Sequence, residues 1–240
     1  MSEAEARYAL YFAPERGSAL ARFGRRWLGY DVASGAFLPQ PALADLPPQR
    51  LAAITAEPRH YGFHATLKPP FVLAEGSDER ALFRAVADFA EMQPAFQAPP
   101  LKLANISGFW ALVLSEPCPA MQALAAAAVA ELDPFRAPPA AAELAKRRRA
   151  GLTPVQEVLL RRWGYSYVME EFRFHMTLTG RLSGEERSLV GDILQGMAVP
   201  LCRDPLRIDA VSLFQQPTRS APFRVVGRYR LAGARQQAAG

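Results

Sequence analysis

Cysteine and histidine are scarce in this 240-residue chain, with two of the first and three of the second. Cys118 and Cys202 have no C-x-x-C partner, so they make no disulfide framework and read as reduced, structural residues. No apolar run approaches the ~20 residues of a membrane helix; the Ala-rich stretch 120–130 is too short and too weakly apolar. Met1 to Arg7 is polar and acidic, without the basic start and apolar run of a secretory signal, which predicts a cytoplasmic protein. A Gly-x-Ser-x-Gly elbow, a suitably set Cys nucleophile and a Gly-rich nucleotide loop are also missing. Serine- or cysteine-based hydrolysis and ATP chemistry are therefore not indicated, and no cofactor is expected.

What the chain does have is an ordinary globular composition, 50% hydrophobic and 21% charged. Its formal net charge is +5 and its pI about 9.5. That excess favours anionic partners: phosphate esters, nucleic acid or an anionic surface. A small phosphorylated substrate is the expected partner, with RNA the second choice and no membrane; the oligomeric state is not legible.

Hydrophobic periodicity and punctuation predict a mixed α+β chain. Strands are expected at 7–12, 62–73, 101–106, 110–114, 172–182, 206–214 and 223–231. Helices are expected at 18–28, 77–92, 119–132, 140–149, 153–163 and 183–197, with the proline-rich segment 35–60 irregular. Pro100-Leu-Lys-Leu-Ala-Asn-Ile-Ser-Gly-Phe109 aligns with Pro205-Leu-Arg-Ile-Asp-Ala-Val-Ser-Leu-Phe214. Each copy follows a helix that follows a His-bearing strand. The repeat predicts one duplicated domain, with lobes over 7–116 and 117–232 and a fraying tail at 233–240.

The strongest signal is a motif pair. Phe63-His64-Ala65-Thr66-Leu67 and Phe174-His175-Met176-Thr177-Leu178 both read Phe-His-x-Thr-Leu. Side chains alternate along a strand, so His64, Thr66 and Lys68 share one face and Phe63, Ala65 and Leu67 the other. Arg173, His175, Thr177 and Thr179 repeat the pattern. A single such motif is more often a half-buried polar pair than a site; its duplication within a duplicated element order favours function. Two lobes facing one cleft would bring together two imidazoles and two hydroxyls. Imidazole titrates near pH 6.5, so one ring can take a proton while the other gives one. Threonine hydroxyls can donate to phosphoryl oxygens, and Lys68 and Arg173 can offset negative charge.

These residues resemble the paired H-x-T/S-x signatures of the 2H phosphoesterase superfamily. Tyr61-Gly-Phe-His-Ala-Thr-Leu-Lys-Pro-Pro70, Phe135-Arg136, Glu143-Leu-Ala-Lys-Arg-Arg148, Trp163-Gly-Tyr165 and Phe172-Arg-Phe-His-Met-Thr-Leu-Thr179 resemble, more narrowly, the DUF1045 family of phosphonate-metabolism proteins. The resemblance implies a two-lobed α+β fold with antiparallel sheets around a central cleft. It implies a metal-independent phosphodiesterase with His64, Thr66, His175 and Thr177 as its catalytic set, acting on a small cyclic or linear diester such as a ribose phosphate. An RNA-end or nucleotide 2′,3′-cyclic phosphodiesterase is the second enzyme reading. A phosphate-binding module without turnover is the non-enzymatic one.

Other residues carry competing readings. Lys146, Arg147, Arg148 and Arg149 form either a solvated helix face or a source for one cleft arginine, Arg147 or Arg148, on a terminal phosphate. His60 precedes His64 by four residues, a metal-pair spacing only on a helix; the strand-like motif favours a cleft-wall role, with Arg59 as an anion contact. Tyr11 is read first as a core tyrosine and second as a cleft residue.

Overall fold

The computed structural model describes residues 5–149 and 151–233. In chain order the elements are β1 (Arg7–Phe12), α1 (Ala19–Leu28), β2 (Tyr30–Asp31), β3 (Ala36–Phe37), α2 (Pro48–Ile54), α3 (Ala56–Tyr61), β4 (Ala65–Phe71), α4 (Glu79–Met92), β5 (Phe96–Ile106) and β6 (Phe109–Leu114). There follow α5 (Pro119–Glu131), α6 (Ala141–Arg148), α7 (Pro154–Trp163), β7 (His175–Thr177), α8 (Gly184–Met197), β8 (Pro205–Ile208), β9 (Ala210–Gln216) and β10 (Arg224–Arg230). The fold is α+β, as expected.

Local chemistry sets most boundaries. Ser18 and Asp78 accept backbone N–H groups at the starts of α1 and α4. Thr153 and Gln156 cap α7 reciprocally, with Pro154 at its first position. Gly29 and Gly164 end α1 and α7 in the left-handed conformation.

Eight strands form one antiparallel sheet in the order β10-β9-β1-β4-β7-β6-β5-β8. Its centre is the contact of the two motif strands, where Ala65 pairs with Met176. Outward from that line, β1 flanks β4 as β6 flanks β7, and β9 lies beyond β1 as β5 lies beyond β6. Each half of the sheet therefore takes strands from both sides of residue 116. The aligned decapeptides fall on β5 and on β8–β9, which occupy opposite halves.

One face of the sheet is covered by helices. Tyr8, Leu10 and Phe12 of β1, Ala65 and Leu67 of β4 and Met176 of β7 pack there against Trp27 of α1, Val86 of α4, Leu124 of α5 and Leu194 of α8. Burying each large apolar side chain contributes about 1.5–3 kcal/mol. The other face of β1 carries Arg7, Ala9 and Tyr11, and Ala9 and Tyr11 join Phe214 and Phe223 in a smaller cluster. This second face lines the cleft.

Three expectations need correction. Segment 35–60 is not wholly irregular, because α2 and α3 occupy much of it; Pro48 sits in the first turn of α2, where no N–H is missed. The expected strand 172–182 shrinks to three residues. Beyond Thr177, the Thr179 hydroxyl accepts the Trp110 N–H at 3.0 Å and Gly180 N–H donates to Ile54 at 2.7 Å, so the chain leaves the sheet. The expected strand 206–214 breaks at Asp209 into β8, at one edge of the sheet, and β9, which lies inside the opposite half between β10 and β1. The tail expected to fray lies outside the described residues from 234 on.

Candidate active site

The Ala65–Met176 pair fixes the site. Both side chains are fully buried on the helix-covered face, so their chain neighbours point into the cleft. Continuing the antiparallel register sets His64 opposite Thr177 and Thr66 opposite His175. Each histidine thus faces the threonine of the other motif. Opposite positions in such a ladder lie about 4.5–5.5 Å apart and diagonal ones about 7–8 Å. The two imidazoles therefore stand on a diagonal of the ladder and both line the cleft.

Both rings are held the same way. His64 Nδ1 lies 2.9 Å from the Gly62 carbonyl, and His175 Nδ1 lies 2.8 Å from the Arg173 carbonyl. A carbonyl only accepts, so each Nδ1 carries the proton and each Nε2 is left for chemistry. His64 Nε2 is 3.1 Å from the Thr66 hydroxyl.

The surroundings differ. Tyr11 stacks on His64 with ring centroids 3.8 Å apart and a 22° tilt, whereas the aromatic neighbour of His175, Phe109, is 6.1 Å away. Burial pushes the His64 pKa down from 6.5 to about 4; its hydrogen bond to Gly62 opposes the shift and His175 adds to it. His64 is therefore a neutral proton acceptor at neutral pH.

The cleft encloses about 450 Å³. Besides the four motif residues, its charged lining is Arg7, Arg147 and Arg181 against a single carboxylate, Glu57. This balance favours an anionic ligand. The described residues contain no cluster of three or more His, Cys, Asp or Glu side chains of the kind that holds a metal ion.

The structure brings His64, Thr66, His175, Thr177, Tyr11 and Arg147 to this cleft. It does not bring the other expected residues. Lys68 is buried, with its ammonium 2.9 Å from the Val129 carbonyl and 3.5 Å from Asp133. The β1–β4 register shifts on both sides of the Leu10–Lys68 pair, which breaks the alternation on which its cleft placement depended. Arg173 contributes its backbone carbonyl, while its side chain lines a separate groove beside Lys102 and Phe172. Arg148 turns to Glu157, which takes its Nε and Nη2. Arg59 is a structural clamp between Leu28, Gln40, Ala52 and Thr55. His60 sits behind the cleft wall, against Gln216 and the edge of Tyr61, and its carbonyl accepts the Phe223 N–H at 2.8 Å.

Sequence reasoning missed Arg7, Tyr61, Tyr165 and Arg181. Arg7 carried a usable signal, since it shares the alternation of β1 with Tyr11. Tyr61 and Tyr165 follow from no local pattern, because each is delivered by the end of a helix or a turn after one.

Comparison with known proteins finds curated relatives, solved structures and a family that this chain resembles. Two curated relatives, both named ribose 1,5-bisphosphate phosphokinase PhnN, come from Janthinobacterium sp. (strain Marseille) and Laribacter hongkongensis (strain HLHK9). They are 40% identical over 226 residues and 35% over 222, covering 92% and 91% of this chain. In both cases the match takes in 50% of the relative, so the chain spans about half the length of the curated relatives it matches. Crystal structures of E. coli LigT with NADP+ and with 3′-AMP align over 95% of this chain and 98% and 99% of theirs, at 13% and 14% identity and TM-scores of 0.42 and 0.43. Residues 66–224, well over half of the chain, match the family described as "protein of unknown function (DUF1045)", and the chain belongs to that family.

Proposed function

We propose that this protein is a phosphodiesterase that opens a small, ribose-derived cyclic phosphate by acid–base catalysis between His64 and His175. The observation that carries the reading is the pair of imidazoles, each tied through Nδ1 to a carbonyl two residues back, on adjacent strands in an arginine-bearing cleft.

His64, neutral through burial, takes a proton from water as the water oxygen bonds to phosphorus. The bond from phosphorus to one ester oxygen breaks, and His175 delivers a proton to that oxygen. Water is consumed and a phosphomonoester and a free hydroxyl are formed. The second imidazole is then neutral and the first protonated, and exchange with solvent restores both. Thr177 donates a hydrogen bond to the non-bridging oxygens, Thr66 does so once its hydroxyl proton turns from His64 Nε2, and Arg181 places positive charge near them.

The relatives' name supports the substrate class. A kinase of ribose 1,5-bisphosphate needs a ribose phosphate supplied to it, and opening a cyclic ribose phosphate produces one. The present chain has no G-x-x-x-x-G-K-[ST] loop, so kinase chemistry is not assigned to it.

The test is turnover, with chelator present, by the wild type, His64→Ala and His175→Ala. The substrates are a cyclic ribose phosphate, 2′,3′-cyclic nucleotides and a short RNA with a cyclic-phosphate end. Each substitution is expected to lower kcat/KM on the order of 10²–10⁴-fold without unfolding the protein. Preference for the RNA would move the reading to RNA-end processing. Absence of turnover on every substrate would leave a phosphate-binding module.

A further inference from the structure

The cleft extends to four side chains that proton transfer does not use: Arg7, Tyr61, Arg147 and Tyr165. Arg7 begins β1 on the same face as Tyr11, the ring that stacks on His64. They stand four positions apart on the strand, about 13 Å along the chain. The Arg7 guanidinium lies 5.4 Å from the Phe223 ring centre, with Nε held by Gln216 at 2.7 Å. Only one of its five N–H donors is used in that contact.

Arg147 reaches the same cleft from the last turn of α6. Its guanidinium lies 4.7 Å from the Tyr165 ring centre, and Nη2 meets Glu143 at 2.7 Å. Its Nε is the one buried side-chain nitrogen or oxygen without a hydrogen-bond partner among the described residues. An orphaned buried donor on a charged group is costly. A phosphoryl oxygen is the acceptor that a guanidinium fork matches.

The four residues form one electrostatic neighbourhood. Arg7 lies in the field of a further cation, Arg219, and of Glu143, and Tyr165 lies in that of Arg147. Two tyrosines flank the two cations, Glu143 partly balances them, and Arg219 adds positive charge beside Arg7. The ring contacts, with the bonds to Gln216 and Glu143, hold both guanidinium groups in place before any ligand arrives, which lowers the ordering cost of binding.

We propose that Arg147 and Arg7 form a second anion subsite, which holds a remote phosphoryl group while the histidines act on the diester. This inference rests on the phosphodiesterase reading and adds to it. The substrate carries two phosphates set apart by a sugar, and the second one gives selectivity rather than chemistry.

The experiment compares a nucleoside 2′,3′-cyclic phosphate with the same compound phosphorylated on its 5′ oxygen. The wild type is expected to prefer the doubly phosphorylated compound in kcat/KM, mainly through KM. Arg147→Met should shrink that preference on the order of ten- to hundredfold, and Arg7→Met should do the same. Arg148→Met, whose side chain faces Glu157, should keep the wild-type preference and controls for charge loss on α6. Calorimetric binding of ribose 1,5-bisphosphate to the wild type and to Arg147→Met gives a readout independent of turnover. Equal use of both compounds by the wild type, or a preference and an affinity unchanged in Arg147→Met, overturns the subsite. The two-histidine reading would survive that result if turnover still required His64 and His175. Conversely, no turnover together with tight bisphosphate binding lost in Arg147→Met would sink the catalytic reading and keep the subsite.

Discussion

The two His-x-Thr-Leu motifs share a sequence and a hydrogen-bond pattern but stand in unlike surroundings. His64 lies under the Tyr11 ring, at the head of a seven-residue strand paired with β1. His175 opens a three-residue strand and has its nearest aromatic neighbour at 6.1 Å. Even the anchoring carbonyls differ in kind. One belongs to Gly62, which has φ +75° and ψ −179°, and the other to Arg173. The motif fixes which nitrogen faces the cleft; the elements around it decide how readily that nitrogen accepts a proton.

Breaking the anchors should give the largest asymmetry. A Cβ on Gly62 would meet Val32 Cγ1 at 1.9 Å, in a backbone region nearly restricted to glycine. Gly62→Ala is expected to lose about 3 kcal/mol of stability or more and to misplace His64. At a temperature where the protein stays folded, kcat/KM should fall on the order of a hundredfold. Arg173→Ala keeps the carbonyl and removes only a side chain outside the cleft, so thermal melting and turnover should stay near wild type. Equal damage from both substitutions would mean that the Arg173 side chain does matter to the site.

The second test sharpens the difference in proton affinity. With His64 as the base, kcat/KM should fall as pH drops through about 4, the value to which burial brings this imidazole. Tyr11→Ala admits water beside the ring, and the acidic limb should move up toward the ordinary 6.5. Stability follows the same sign. The folded pKa lies below the unfolded one, so the unfolded chain gains the proton first as pH falls. The stability linked to neutral His64 is full above about 6.5 and is lost toward about 4. Melting temperatures over that window should drop less steeply for Tyr11→Ala. An acidic limb that stays at its wild-type position in Tyr11→Ala would show that this ring does not control the base.

Much of this was legible in the sequence because it rests on local rules. Alternation around Ala65 and Met176 predicts that the imidazoles and threonines share a face opposite the core, and strand pairing keeps that arrangement. Caps at Ser18, Asp78 and Thr153 mark helix starts for the same reason, since each serves an N–H two or three residues on. The failures come where distant segments decide. Arg148 and Arg147 are adjacent on α6, yet only contacts with Glu157 and Tyr165 separate an outward guanidinium from a cleft one. Arg59 resembles an anion contact until the carbonyls of Leu28 and Ala52 are seen to hold it.

Lys68 gives the smallest predicted effect on turnover and the clearest case of a residue misread from its strand. Its ammonium sits on the carbonyl of Val129, in the last turn of α5, where helix carbonyls lack intrahelical donors and a cation is favoured. Burial lowers its pKa to about 8, with Asp133 working against the shift. Lys68→Met fills the same volume but leaves that carbonyl without its donor, while Asp133 keeps Arg136 at 2.7 Å. The loss of stability should be about 1–3 kcal/mol, and kcat/KM should stay within about twofold of wild type. A folded Lys68→Met protein with turnover down tenfold or more would place the ammonium at the substrate after all. Alternation along β4 would then continue through the shifted register, and the contrast between its helix-capping end and its catalytic end would fail.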